Sequence, residues 1–483
     1  MSDSQIVVNG IDAASGEYLI PPMEIAELAE RVRLSPFDPS LAARLGASLQ
    51  SEADPHLGLP FTVRPEIVAE AGWGLLFHAD EAADVRAALT PLFEHRRARI
   101  NNDAIVKRLQ DYRTGDDVAS FLARHGVGQG SVEPAKVPFY LLVVGSPSRI
   151  PFEFGHQLDV EYCVGRLHFD TPAEYDAYVK SVIDYETAAS VPNSREAVFW
   201  SPRHALDGAT QLSADKLVLP LVDGVSAQGG QAPEPSVLQV TNFRSRTLWK
   251  DGATKQALLD TLTAAGGVSP PAFLFTASHG IGFPKDHASQ RDAQGALLCQ
   301  DWPPFKPMQP QHYLCASDVP DDARVHGLVS FHFACFGAGT PARDQFVHTP
   351  GQPPPDIAAA PFFARLPQRL LAHPNGGVLA CIGHVERAWG YSITTAGAGA
   401  QRLPFRNCIG RILSGQPVGY AVKDFNERYA SLTVTLAGLL QQIGFGVKIP
   451  DAVLVARWIE RNDAEGYVVL GDPAIALRVD DLK

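Results

Sequence analysis

The stretch FYLLVVG (residues 139–145) is the clearest guide to the fold of this 483-residue chain. It is a continuous apolar run that ends in Gly-Ser-Pro, and such a run is typical of a strand buried in a parallel sheet. Downstream, TPAEYDAYVKSVIDYE (residues 171–186) begins with a threonine, then a proline, with a glutamate three residues after the threonine. This is the pattern of a capped helix start. A buried strand followed by such a helix is typical of an α/β protein.

The alternation of strands and helices continues towards the C-terminus. Apolar runs predict strands at residues 271–277 (PAFLFTA), 325–334 (VHGLVSFHFA) and 377–383 (GVLACIG). Between them, apolar residues recur at helical spacing over residues 255–265 and 360–371. We therefore predict an α/β fold with a mainly parallel sheet.

Residues 1–135 have a different pattern, which predicts a separate, mostly helical N-terminal domain. Apolar residues at helical spacing, for example over residues 102–113, support this prediction. Residues 126–138 are rich in glycine and proline and are typical of a linker. We place the second domain at residues 138–483, with a flexible insertion at residues 224–235 (GVSAQGGQAPEP).

Composition and charge exclude several classes of protein. Hydrophobic residues make up 45% of the chain, which excludes wholesale disorder. The 53 acidic residues outnumber the 41 lysines and arginines, which argues against a nucleic-acid partner. We find neither a signal peptide pattern nor an apolar run of the roughly 18 residues needed to span a membrane. Six scattered cysteines suit a reducing compartment, so we expect a cytoplasmic protein with no membrane partner.

Two of the predicted strands are followed by reactive side chains. His279 follows PAFLFTAS and Cys335 follows LVSFHFA, and small residues come after each of them. Open parallel sheets place their active sites at the carboxyl ends of the strands. A cysteine paired with a histidine at such an edge indicates nucleophilic catalysis by a thiolate.

Several segments resemble the gingipain-type cysteine peptidases of the caspase-like clan, a family that includes bacterial members. In chain order, these segments are LLVVGSPSRIPFEF (141–154), VGRLHF (164–169), SHG (278–280), ACFGAG (334–339) and VVLGDPAIALRV (468–479). Cys335 also lies 56 residues after His279 (335 − 279), close to the spacing of roughly 50 residues found in caspases. The resemblance begins at Phe139 and implies a caspase-like three-layer α/β/α sandwich.

The resemblance also implies an activity and its residues. The chain would be a cysteine endopeptidase acting on proteins or peptides through a thioester on Cys335, without a cofactor. His279 would protonate the leaving amine and then assist the attack of water. The backbone N–H groups of Gly280 and Cys335 would stabilise the oxyanion.

The residues that would bind the substrate side chain are less well defined by the sequence. Arg203 would suit an acidic side chain, and Asp207 or Asp215 a basic one, so both alternatives stay open. Some gingipain-type enzymes have an acidic residue that orients the histidine, just after the strand that ends here near Trp200. At that place the chain reads PRH (residues 202–204). The sequence therefore predicts a Cys-His dyad without a third member.

Two other functions remain open at this point, as does the role of residues 1–135. The chain could be a catalytically weak caspase-like scaffold that works by binding partners, or an acyl hydrolase that does not cut peptides. Residues 1–135 could bind a regulatory partner. Cys299, His312 and Cys315 match no compact zinc spacing, so we predict no metal site.

Overall fold

The centre of the molecule is a ten-stranded sheet. A computed structural model of the chain describes residues 5–52, 58–128, 130–227, 232–346, 352–395 and 399–483. The strands of the sheet are β1 (Trp73–His78), β2 (Val106–Tyr112), β3 (Tyr140–Val144), β4 (Cys163–Leu167), β5 (Ser194–Ser201), β6 (Arg244–Trp249), β7 (Pro271–Ala277), β8 (Val329–Phe333), β9 (Ala380–His384) and β10 (Tyr467–Gly471). Their order across the sheet is β2-β1-β3-β4-β10-β9-β8-β7-β5-β6.

Most neighbouring strands of this sheet are parallel. Strands β2, β1, β3 and β4 pair in parallel, and so do β9, β8, β7, β5 and β6. Strand β10 lies between the two groups and is antiparallel to β9. The predicted α/β class with a mainly parallel sheet is confirmed.

Helices and short strand pairs connect the strands of the sheet. The α-helices are α1 (Ile25–Leu34), α2 (Pro39–Glu52), α3 (Val68–Ala71), α4 (Ala83–Ala88), α5 (Thr90–Ile100), α6 (Val118–Arg124), α7 (Phe152–Glu161), α8 (Pro172–Thr187), α9 (Gly208–Leu212), α10 (Leu219–Asp223), α11 (Val237–Thr241), α12 (Lys255–Thr263), α13 (Gln290–Ala293), α14 (Arg365–Leu371), α15 (Leu403–Leu413), α16 (Val418–Ala421), α17 (Lys423–Gly444) and α18 (Asp451–Glu465). The two-residue strand pairs are Gln5–Ile6 with Met23–Glu24, Ile11–Asp12 with Ile281–Gly282, Leu297–Leu298 with Tyr313–Leu314, Gly339–Thr340 with Phe362–Phe363, and Thr394–Thr395 with Gly399–Ala400. Within the described ranges, no helix is both long enough and apolar enough to cross a membrane.

Helices cover both faces of the sheet. On one face, Phe331 of β8 contacts Phe405 of α15 and Phe425 of α17. Successive side chains of a strand point to opposite faces, so Trp200 of β5 points away from the face on which Phe199 joins the same aromatic cluster. The Trp200 indole donates to the Thr254 carbonyl, at the start of α12. The result is a helix–sheet–helix arrangement of three layers.

The structure does not divide the chain after residue 135. Strands β1 and β2 belong to the main sheet, and Trp73 of β1 lies opposite Tyr140 of β3. The prediction of a separate helical N-terminal domain is therefore wrong.

The segment predicted to be a helix, residues 102–113, instead contains strand β2. Its buried residues Val106, Leu109 and Tyr112 recur every three positions and so imitate a helix in the sequence. Pairing with β1 at the edge of the sheet overrides that local pattern.

The predicted flexible insertion covers residues 224–235, and residues 228–231 of it lie outside the described residues. On either side of them, Val225 forms a β-bridge with Glu234, and the Glu234 carboxylate binds Arg402.

Buried histidines are expected to make the fold sensitive to acid. Burial lowers the pKa of His156 and of His332 to about 4. In the unfolded chain these groups take up protons near pH 6.5. Their contribution to the free energy of unfolding is therefore complete above about pH 6.5 and is lost as the pH falls towards 4. At full effect it is on the order of 3 kcal/mol for each histidine.

Urea denaturation between pH 7.5 and 4.5 measures this effect. His332 lies on β8 and its Nδ1 atom is 2.9 Å from Thr276 Oγ1 on β7. The variant His332→Gln should lose less stability over this pH range than the wild type, whatever its stability at pH 7.5. An unchanged pH dependence would contradict the prediction.

Candidate active site

The candidate site forms where two neighbouring strands end. Strands β7 and β8 are parallel, with Ala277 opposite Phe333 at their carboxyl ends. The Ser278 N–H donates to the Phe333 carbonyl at 3.1 Å, so the strands stay together beyond their last pair. As a result, His279 and Cys335 leave the sheet at the same edge.

The backbones at Gly280 and Cys335 approach each other very closely. A Cβ atom added to Gly280 would lie 1.7 Å from the Cys335 carbonyl oxygen, so only glycine fits at this position. The backbone of Gly280 acts to lower the pKa of the Cys335 thiol, as an N–H directed towards the sulfur would. The backbone hydrogen bonds of the described residues contain no acceptor for the Cys335 N–H. Both N–H groups can therefore serve an oxyanion formed at the thiol.

A tight turn presents the cysteine. The Gly337 N–H donates to the Ala334 carbonyl at 3.1 Å, which leaves Cys335 and Phe336 at the tip of the turn. Phe336 has a φ of 57°, a left-handed conformation that is uncommon for a non-glycine residue. The Phe336 N–H donates to the Glu386 carbonyl at 2.6 Å, so the segment after β9 holds the turn in place. Strained backbone of this kind is concentrated at functional sites.

His279 is hydrogen-bonded at both ring nitrogens. Its Nε2 atom lies 2.7 Å from Asp207 Oδ2, and its Nδ1 atom accepts the Gly10 N–H at 2.9 Å. Because Nδ1 accepts, the ring proton must lie on Nε2, from which it is donated to the carboxylate. The histidine thus presents a lone pair at Nδ1, directed at a backbone amide.

Asp207 is built to remain ionised. It caps α9, accepting from the Ala209 N–H, and its two oxygens also accept from the Tyr18 and Thr210 hydroxyls at 2.5 and 2.7 Å. Burial by itself would raise the pKa of this carboxyl. The adjacent His279 imidazole and the hydrogen bonds from His279, Tyr18 and Thr210 instead hold its pKa well below the usual range.

The structure therefore contains an acidic residue that orients the histidine, which the sequence did not predict. Asp207 lies six positions after Ser201, the last residue of β5, and not directly after the strand. It contacts His279 and does not line a pocket for a basic substrate side chain. This corrects both the prediction of a dyad and the pocket role given to Asp207.

The other two residues of the predicted pocket bind each other. Arg203 Nε and Nη2 contact the two oxygens of Asp215 at 2.9 and 2.8 Å. In such a bidentate pair each charge is already satisfied. Among the described contacts, neither residue touches Cys335 or His279, so the structure does not place them in a pocket beside the thiol.

The N-terminal segment covers the site. Gly10 donates to His279, and a Cβ atom added to Gly10 would lie 3.3 Å from Cys335 Sγ. Strand Ile11–Asp12 runs parallel to strand Ile281–Gly282, directly after the histidine. Cys335 and His279 are 0% and 1% exposed, so the site is closed in this structure. Sequence reasoning missed Gly10 and Tyr18, because nothing in their local sequence indicates contacts with residues so far along the chain.

Closure keeps the cysteine protonated. Burial and, to a smaller extent, the Glu386 carboxylate raise the pKa of the Cys335 thiol to about 12, although the backbone of Ala388, the Arg387 guanidinium and the backbone of Gly280 act to lower it. Arg387 is itself buried and binds Asp344 through two hydrogen bonds of 2.5 and 2.9 Å. Opening the site would reduce the burial and leave the groups that favour a thiolate in place.

The described residues contain no group of three or more His, Cys, Asp or Glu side chains arranged to hold a metal ion. Cys315, one of the three residues considered for such a site, hydrogen-bonds to Asp318 and contacts Ser317.

Comparisons with solved structures give weak similarities to proteases. The chain resembles a structure described as that of a protease, with 14% identity over 84% of this chain and 78% of the other, at a TM-score of 0.47. It is also similar to the Arg-specific cysteine proteinase gingipain R, with 11% identity over 85% and 79% of the two chains and a TM-score of 0.42. The separase of the Saccharomyces cerevisiae separase–securin complex matches with 11% identity over 92% of this chain and 23% of that one, at a TM-score of 0.29.

No family model and no curated protein matches the chain. Similarities at TM-scores below 0.5 assign no activity to this chain. An activity can be inferred only from the residues of the site.

Proposed function

We propose that this chain is a cysteine endopeptidase, with Cys335 as the nucleophile, His279 as the general acid and base, and Asp207 as the residue that positions His279. One observation carries this proposal. Gly10 lies beside the thiol, since a Cβ atom added to it would be 3.3 Å from Cys335 Sγ, and its N–H donates to His279 Nδ1. A site that holds a peptide nitrogen against an imidazole, beside a thiol, is suited to cutting a peptide bond.

The residues support the following mechanism. Cys335 passes its proton to His279 Nδ1, and the thiolate attacks the carbonyl carbon of the scissile bond. The oxyanion that forms accepts hydrogen bonds from the N–H groups of Gly280 and Cys335. His279, protonated at Nδ1, gives that proton to the leaving nitrogen as the C–N bond breaks. Water then attacks the thioester with His279 as base, which releases the acid product and restores the thiol.

Asp207 serves this cycle by holding the imidazole in one orientation and tautomer. While His279 carries a second proton, the ionised carboxylate also stabilises the positive charge of the ring.

The compartment and substrates remain part of the proposal. All six cysteines are free thiols in the structure, which supports work in a reducing compartment such as the cytoplasm. The substrates would be proteins or peptides. Residues 1–135 supply two sheet strands and the segment over the site, so their first proposed role is within this chain.

The alternatives are a partner-binding scaffold and an acyl hydrolase that does not hydrolyse peptide bonds. The burial of Cys335 and His279 supports the scaffold alternative, since a closed site is inactive until it opens. A variant of this chain in which the site is open therefore distinguishes best between a peptidase and these two alternatives.

The variant Gly10→Val should open the site. Gly10 has a φ of +105°, and an added Cβ would lie 2.8 Å from Leu19 Cδ1, so valine cannot keep this backbone in place. The matched control is Gly115→Val, since Gly115 has a φ of +90° with open space where the Cβ would lie.

For Gly10→Val at pH 7.5, we expect iodoacetamide to modify Cys335 at least about tenfold faster than the other five cysteines, as measured by peptide mass spectrometry. The variant should hydrolyse members of a diverse peptide library faster than small esters, and His279→Ala in the same background should slow both reactions. Gly115→Val should behave as the unaltered chain does. Without selective labelling and without peptide hydrolysis, the scaffold would be the better explanation.

A further inference from the structure

Residues 8–12 (VNGID) lie across the site in the manner of a bound peptide. Val8, Asn9 and Ile11 are each at most 2% exposed. On the far side of Gly10, the Ile11 N–H donates to the Gly280 carbonyl at 3.4 Å and the Ala13 N–H to the Gly282 carbonyl at 2.9 Å. Adding an extended strand to an exposed edge is a common way of binding a peptide.

The Asn9–Gly10 bond is the peptide bond of this segment that faces the catalytic groups. Its nitrogen, Gly10 N, lies 2.9 Å from His279 Nδ1, where the leaving nitrogen of a substrate must take up a proton. Gly10 also lies beside the thiol, since a Cβ atom added to it would be 3.3 Å from Cys335 Sγ. On this geometry, Asn9 stands on the acyl side of the bond and Gly10 on the amine side.

The Asn9 side chain occupies a small pocket of its own. It lies against Gly390, where an added Cβ would be 3.1 Å from Asn9 Oδ1 and 3.4 Å from Leu212 Cδ2. Leu212 is the last residue of α9, the helix whose first turn is capped by Asp207. Among the described residues, Asn9 Oδ1 is buried without a hydrogen-bond partner, and no charged side chain hydrogen-bonds to Asn9. The pocket is therefore short and is not built to neutralise a charge.

We propose that the Asn9–Gly10 bond is the chain's own first substrate, and that the pocket holding Asn9 takes a short, uncharged side chain such as asparagine before the bond cut in other substrates. This inference rests on the proposed peptidase function, whose substrate class it defines.

The proposed reaction is an ordinary hydrolysis. Cys335 passes its thiol proton to His279 Nδ1, and Sγ bonds to the Asn9 carbonyl carbon. The bond from that carbon to Gly10 N then breaks, and the nitrogen leaves as an amine with the proton that His279 received. One water molecule then cleaves the thioester. The products are residues 1–9 ending in a carboxylate, a chain beginning at Gly10, and the regenerated thiol.

Cleavage would open the site for a physical reason. It creates a carboxylate at Asn9 and an amine at Gly10, in a place where Asn9 is 2% exposed. Both groups are charged at neutral pH, and buried charges without partners are strongly disfavoured. The new ends therefore leave the site, and Cys335 becomes accessible to other peptides.

The pocket explains the selectivity by size and charge. An arginine or lysine side chain would have to displace the backbone at Gly390. An aspartate has nearly the shape of asparagine, but its carboxylate would be buried without a cation. A glutamine adds one methylene group towards Gly390, a difference typically worth about 10- to 200-fold in a tight pocket.

The first experiment follows the mass of the full-length chain at pH 7.5 under reducing conditions. We expect the wild type to lose residues 1–9 and begin at Gly10, while Cys335→Ala stays intact. Asn9→Gln should be processed at least about tenfold more slowly than the wild type. The matched control Val7→Ala, in the same segment but outside the proposed pocket, should be processed at the wild-type rate.

The second experiment uses four peptides based on residues 6–12 (IVVNGID), with Asn, Gln, Asp or Arg before the glycine. In the Gly10→Val chain, kcat/KM for the Asn peptide should exceed that for the Gln and Asp peptides at least about tenfold, and that for the Arg peptide by more.

The outcomes separate this inference from the peptidase proposal. An uncut Asn9–Gly10 bond in a chain that hydrolyses library peptides would overturn the inference and leave the peptidase standing. Equal cleavage in Cys335→Ala would show spontaneous Asn–Gly chemistry and would also overturn it, as would equal rates for the four peptides. Failure of the peptidase itself would appear as Gly10→Val without hydrolysis and without selective labelling at Cys335.

Discussion

Replacing Cys335 by serine in the Gly10→Val chain is expected to lower kcat/KM for peptide hydrolysis by at least about 10⁴-fold. The hydroxyl that remains has no tendency to ionise near neutral pH, whereas a thiol exposed by opening the site ionises much more readily. The Gly280 N–H and the Arg387 guanidinium both act to lower the pKa of the Cys335 thiol, and neither can make a serine comparably nucleophilic.

A second buried cysteine is the matched control for this variant. Cys381 lies in β9, and its sulfur accepts a hydrogen bond from Ser330 Oγ on the neighbouring strand β8. Burial raises its pKa to about 12 as well, but no histidine contact is described for it. Cys381→Ser should keep activity within a few-fold of the parent chain. Retention of full activity by Cys335→Ser would mean that Cys335 is not the nucleophile.

Replacing Asp207 by asparagine is expected to lower kcat by about 10²- to 10⁴-fold with little change in KM. The two oxygens of Asp207 face only donors: His279 Nε2–H, two hydroxyl groups and the N–H groups of Ala209 and Thr210. An asparagine must turn its NH₂ group towards one of these sets of donors. If it faces His279, the imidazole takes the other tautomer and loses the lone pair at Nδ1.

Steady-state kinetics and thermal unfolding together test the role of Asp207. The control is Asp215→Asn, which removes an equivalent charge from an acidic residue eight positions away that pairs with Arg203. That variant should keep kcat within a few-fold of the parent. Asp207→Glu should recover part of the activity lost in Asp207→Asn, since it restores a carboxylate. If Asp207→Asn raised KM or lowered the unfolding temperature but left kcat unchanged, the role of Asp207 would be purely structural.

The strands could be predicted because each depends on the apolar residues within its own short segment. The runs that became β3, β7, β8 and β9 are apolar throughout and end in small residues, which marks strands buried on both faces. Parallel neighbours end at the same edge, so the positions of His279 and Cys335 follow from where their strands stop. Strand β2 was mistaken for a helix because its buried residues recur every three positions and only its partner β1 makes it extended.

The third member of the site could not be predicted from the sequence. Asp207 caps a five-residue helix, and the sequence around it looks like any other helix start. Its contact with His279 joins residues 72 positions apart. The contact between Gly10 and His279 spans 269 positions. No local pattern carries such information.

By itself, then, the sequence determined the α/β class, the strands of the core and the two residues that follow them, because burial and periodicity are properties of short segments. Only the tertiary structure decided that residues before 135 join the same sheet, that Asp207 holds the histidine, and that Asn9 and Gly10 fill the site. Those features depend on which distant segments pack against one another, and that is settled by the shape and hydrogen-bonding groups of the assembled sheet edge.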